Sequence, residues 1–159
     1  MRCEVEPRML GPGPAGVKAK TARIVLVCLV VSTCVSGCFW RNYGARLQMH
    51  SDLLVAFARK ARDLVASGRF TAENLPELTY PLERATAFDA DVRRRAPEPP
   101  ASLLAFERLL DRYRAYVDLV DRTRRDPAAD RLGPVSAALE GVERAARDVS
   151  TALADDRRR

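Results

Sequence analysis

From residue 43 onward the apolar positions recur at alternating spacings of three and four. That period stacks side chains on one face of an α-helix, and no alternating strand pattern competes with it. Four segments follow. In the first, residues 43–67, the inward stripe is Leu47, His50, Leu54, Phe57, Ala61 and Leu64, and Gly68 ends it where a left-handed backbone is needed. In the second, Thr71 caps a short turn that points Leu75 and Leu78 inward. Pro76 and Pro81 then forbid one continuous regular helix, because proline lacks the amide donor and crowds the preceding turn. Pro81 is instead expected to open a new helix reaching Arg95, with Leu82, Ala85, Phe88 and Val92 inward.

Residues 96–100 (APEPP) are a clear break. The third segment is the most regular: Ser102 is the expected cap, Leu103, Phe106, Leu110, Tyr113, Val117 and Val120 form the stripe, and Asp126-Pro127 closes it. The fourth starts at Gly133-Pro134 after a loop over residues 127–133. It carries Val135, Leu139, Val142, Ala146, Val149 and Leu153 inward and ends on Arg157, Arg158 and Arg159. Heptad stripes on four segments with short connections predict an all-α fold, an antiparallel up-down four-helix bundle with left-handed packing. A three-helix bundle crossed by the proline-broken second segment is the alternative.

The N-terminal part follows a different pattern. Lys18, Lys20 and Arg23 precede an apolar run at residues 24–35, and small Ser36 and Gly37 follow it. This is the three-part secretory arrangement. A membrane-spanning helix needs about 20 apolar residues, more than this run supplies. The sequence Val35-Ser36-Gly37-Cys38 resembles the lipobox of bacterial lipoproteins. The resemblance covers residues 18–38 only. It implies that the Cys38 thiol receives a diacylglycerol, that a dedicated peptidase cuts before it, and that the new amino group is acylated. Cys34 follows Thr33, and Cys28 sits inside the apolar run, so neither fits the motif as well. The expected organisation is a signal peptide at 1–37, with Met9 as an alternative start, a lipidated tether at 38–42, and the bundle at 43–159. An ordinary secretory signal or a single-pass anchor is the alternative for the leader.

Charge and cysteine usage agree with this division. The net charge is +6, and residues 1–37 contribute half of it, with five basic against two acidic side chains. The remainder is too mild an excess to indicate a nucleic-acid partner. All four cysteines, Cys3, Cys28, Cys34 and Cys38, lie at or before the proposed cleavage point, so the domain has no disulfide framework.

Candidate chemistry is sparse. His50 is the sole histidine, and a Glu-x-x-His motif is missing, so a di-iron bundle site is not expected. Met49 and His50 are neighbours near one helix end, the wrong arrangement for axial haem ligands. His50 is read as a half-buried polar residue. There is no nucleophile elbow, Asp89 and Asp91 point to different helix faces, and Asp155-Asp156 lies on a fraying end. Gly11-Pro12-Gly13 belongs to the leader and is no phosphate loop. Arg108 with Asp111, and Glu143 with Arg147, are spaced for exposed ion pairs. No catalytic, cofactor-binding or metal-ligating residue is assigned, and the chain reads as a non-enzyme.

The remaining expectations concern membranes and partners. Phe39 and Trp40 directly follow Cys38, and aromatic side chains favour the membrane interface. In enteric bacteria an aspartate after the lipidated cysteine resembles an inner-membrane retention signal; Phe39 in that place implies the outer membrane. In an up-down bundle the ends of helices two and four return to the tether. Arg93, Arg94, Arg95, Arg157, Arg158 and Arg159 are therefore expected to form a membrane-facing collar. The leading expectation is a lipid-anchored cell-envelope protein with an interaction or structural role and an envelope protein partner. The alternative is a binder of anionic phospholipid surfaces.

Overall fold

The structure, a computed structural model, describes residues 42–96, 98–126 and 132–158. These residues form helix α1 over 42–66, a 3-10 turn at Ala72–Asn74, α2 at Leu75–Arg95, α3 at Ala101–Arg125 and α4 at Leu132–Asp156. The described residues contain no strand.

Cross-helix partners fix the topology. α1 and α2 are antiparallel: Lys60 pairs with Glu77, while Tyr43 and His50 lie against Phe88. α2 and α3 are antiparallel: Arg93 pairs with Glu107, and Arg114 donates to Thr86. The Ser102 amide meets the Asp156 carboxylate, so α4 ends where α3 begins. The Ser150 hydroxyl donates to Gln48, and Arg59 pairs with Glu143, which makes α1 and α4 antiparallel. α1 and α3 run the same way, with Tyr43 bonded to Ser102 and Tyr116 reaching Ala58. This is the up-down four-helix bundle, and the crossing three-helix alternative is not adopted.

α3 supplies the largest part of the core. All six residues of its expected stripe are buried, joined by Leu109 and Tyr116. The tyrosine hydroxyls solve their burial by donating to backbone carbonyls of other helices, Tyr113 to Leu78 at 3.1 Å and Tyr116 to Ala58 at 2.7 Å. On α1 the fully buried line runs through Leu47, Ser51, Leu54, Ala58 and Ala61, whereas Phe57 and Leu64 are only half-buried. The reason is steric. Tyr116 comes close enough to bond the Ala58 carbonyl, and a small side chain permits that approach. Ser51 is tolerated inside because its hydroxyl returns to the Leu47 carbonyl at 2.9 Å.

The ends of α1 and α2 follow local chemistry. Gly68 has φ +68°, its amide donates to Val65, and the Arg69 amide donates to Leu64. These are the two bonds of a Schellman stop. The Thr71 amide and hydroxyl both donate to the Asn74 side chain, at 2.9 and 3.1 Å. The chain then continues directly into α2, which corrects the expectation of a break at Pro81. Pro76 lies in the first helical turn, where no amide donor is missed. Pro81 lies inside α2 with its ring buried in the core, in the place expected for Leu82. Burial of the ring offsets the donor that the Glu77 carbonyl loses, and Tyr113 binds the adjacent Leu78 carbonyl from α3.

Candidate functional site

Two features stand out: the end of the bundle that holds Tyr43, and a groove between α1 and α4.

At the Tyr43 end, the phenol of α1 and the buried Ser102 hydroxyl of α3 are 2.9 Å apart. Ser102 is not the cap of α3; Pro100 holds that position, and the Ser102 amide donates to Asp156 Oδ2 at 3.0 Å. Asp156 therefore satisfies from α4 one of the donors that α3 leaves open at its start. It is no fraying end. The sequence carried one signal for this: a carboxylate at a helix C-terminus opposes the dipole and so calls for a partner elsewhere. Burial pushes the Tyr43 phenol up to about 12, the Ser102 bond acts against that shift, and the carboxylates of Asp156 and Asp89 add to it. Asp89 accepts from Arg93 through one oxygen at 3.3 Å, while its other oxygen is buried without a partner.

The topology brings Arg93, Arg94, Arg95, Arg157 and Arg158 to this same end. They are not a free cationic collar. Arg93 pairs with Asp89 and Glu107, Arg94 and Arg95 with Asp91, and Arg158 with Asp155 at 3.8 Å. With Asp156 included, these five arginines are matched by five carboxylates. Arg159, the motif residues Val35, Ser36, Gly37 and Cys38, and the aromatic pair Phe39 and Trp40 lie outside the described residues. At the opposite end, Arg124 and Arg125 hold Asp121, and Arg122 donates to the Asp118 carbonyl. Both ends thus show the arginine enrichment that any helix C-terminus favours.

His50 is 9% exposed, with its ring 4.9 Å from that of Phe88 and the Arg46 guanidinium over the other side chain's ring at 4.9 Å. Burial lowers its proton affinity, and the charges of Arg46 and Arg84 lower it further. Among the described residues, no three His, Cys, Asp or Glu side chains converge to hold a metal, and no helix is long and apolar enough to cross a membrane.

The groove between α1 and α4 has a volume of about 760 Å³. Met49 and Leu53, 49% and 41% exposed, rise from α1. Ala45, Ala56, Leu153 and Ala154 complete the apolar lining. Gly44 closes one end: a Cβ there would stand 3.3 Å from Arg157 Nη2 and 3.5 Å from Leu153 Cδ2. The groove continues into a second hollow of about 360 Å³ between the polar banks of the same helices. There Glu143 bonds Arg59 at 2.7 Å across the seam instead of Arg147, its expected neighbour. Likewise Asp111 pairs with Arg114 at 2.8 Å, and Arg108 turns to the Leu104 carbonyl. Asp52 accepts only from the Gln48 amide, at 2.8 Å, and neither Asp52 nor Arg147 has an ion-pair partner among the described residues.

Nothing in this groove pairs a nucleophile with a base, since Ser150 donates to Gln48 and to the Ala146 carbonyl. Its chemistry is that of a binding surface. Sequence reasoning missed it, although the signal was present: Met49 and Leu53 are large apolar residues off the buried stripe of α1. Comparison with protein-family models, with curated proteins and with solved structures finds no match to this chain.

Proposed function

We propose that this chain is a lipid-anchored helical protein of the cell envelope whose bundle binds another protein. The observation that carries the anchor is the sequence Val35-Ser36-Gly37-Cys38, placed after a short apolar run and immediately before a folded bundle. The observation that favours a binding role is the α1–α4 groove, where two large apolar side chains of one helix stand exposed a turn apart. Two or more acyl chains on Cys38 hold a protein stably at a bilayer, whereas one gives only marginal binding. Radioactive palmitate should label the chain in growing cells, and Cys38→Ala should accumulate as an unlabelled precursor. Normal labelling of Cys38→Ala would end the reading.

A second reading makes the Tyr43 end a contact for anionic phospholipid and the protein a surface binder. The return of both arginine-rich helix ends to that side favours it, and the matching carboxylates weigh against it.

A further inference from the structure

Exposed large apolar side chains are scattered over the bundle except at one place. Tyr80, Leu104 and Leu132 each stand on a different helix, whereas Met49 and Leu53 stand together at the α1–α4 groove. The cross-helix bonds set the heights of the two banks. Gln48 meets Ser150, and Gly44 meets Arg157 and Leu153. Met49 therefore lies level with Ser150, and Leu53 with Ala146. One bank presents two knobs, and the other presents small residues at the same heights.

We propose that a second copy of this chain covers the groove, with α1 of each copy on α4 of the other. A two-fold axis parallel to the helices gives this arrangement. It seats Met49 and Leu53 of each copy on Ser150 and Ala146 of the other, because rotation about that axis exchanges the banks and preserves height. Charge selects this occupant over others. Asp52 stands on the α1 bank and Arg147 on the α4 bank, both unpaired by opposite charge within the described residues of the chain. The same rotation puts each Asp52 opposite the other copy's Arg147, giving two symmetric ion pairs. An apolar chain laid in the groove would leave both charges unmatched. The area suffices: a face two helices wide and about 37 Å long offers on the order of 700 Å², near the ~800 Å² per partner of a stable interface. The choice of a parallel over an antiparallel pair rests on the anchoring reading, since two chains anchored at Cys38 in one leaflet share the side on which their Tyr43 ends lie.

The test uses the full chain recovered from bacterial membranes in detergent. Chains carrying Leu53→Cys and differently tagged chains carrying Ala146→Cys are mixed and oxidised, with the parent chain as the blank. A mixed disulfide is expected, and none between two Leu53→Cys chains. Asp52→Arg alone or Arg147→Asp alone sets like charges face to face. Each should raise the midpoint of dissociation, read by sedimentation, by at least about tenfold. The double variant should restore it. All these residues border an open groove, so the fold is kept. A monomer at every concentration, a Leu53→Cys self-pair without the mixed pair, or a double variant no better than the worse single one would overturn the proposal. Palmitate incorporation is read on the same samples. Label without the mixed disulfide removes the interface and leaves the anchor; the disulfide without label does the reverse.

Discussion

Single residues in this bundle act through partners that lie far away in the chain. His50 was recognised from the sequence as a polar residue on an apolar face, but the agents of its proton affinity, Phe88 and Arg84, come from another helix. Its folded-state pKa lies below the ordinary value of 6.5. Above pH 6.5 it is neutral in both states. As pH falls through that value the unfolded chain takes the proton first, so stability drops, by at most about 1.4 kcal/mol per pH unit. His50→Gln should remove this part of the slope between pH 7 and 5. Urea unfolding of parent and variant at several pH values checks it, and parallel slopes would refute the assignment. Asp156 shows the limit of local reasoning. Its sequence neighbours announce a weak helix end, and its role as a cap for α3 exists only once α4 has packed.

Elements were legible where one local rule governed them. The α3 stripe was read without error because its heptad meets neighbours on every side and no special residue interrupts it. The Gly68 stop was legible for the same reason. Gly68→Ala meets no atom within 4 Å, so its effect is backbone strain alone, a loss of roughly 1 kcal/mol. Leu110→Ala, at 2% exposure in the middle of α3, should lose about 2–5 kcal/mol by opening a cavity. Chemical denaturation of the two variants should separate strain from cavity. A Leu110→Ala loss below 1 kcal/mol would show that the neighbouring helices collapse onto the gap. α2 was misread because a local penalty was taken as decisive. Pro81 costs the helix a hydrogen bond, yet its ring fills space between helices, a benefit that no reading of α2 alone can contain. The buried line of α1 was partly misread for a related reason: the small size of Ser51 and Ala58 matters only because of what approaches them.

For the whole molecule, the order of helices was legible from the break residues. The balance of charge was not, because it depends on which acids the packing brings beside which arginines. With the Tyr43 end carrying matched signs, replacing Arg93–Arg95 and Arg157–Arg159 by Gln should change binding to anionic vesicles no more than replacing Arg122, Arg124 and Arg125. Co-sedimentation at low salt measures this, and a selective loss from the first set would restore the collar. The tyrosines carry a further consequence. The chain's only tryptophan, Trp40, precedes the bundle, and of its four tyrosines three are buried at helix junctions while Tyr80 is 61% exposed. Tyr43 and Tyr116 each link α1 to α3, and Tyr113 links α3 to α2. Near-ultraviolet absorbance of the bundle is thus an optical gauge of its helix junctions. A state that kept its helices but loosened their packing would shift the tyrosine bands while leaving the peptide signal in place. A reagent selective for phenols would distinguish that state by consuming four rings where the native fold yields one.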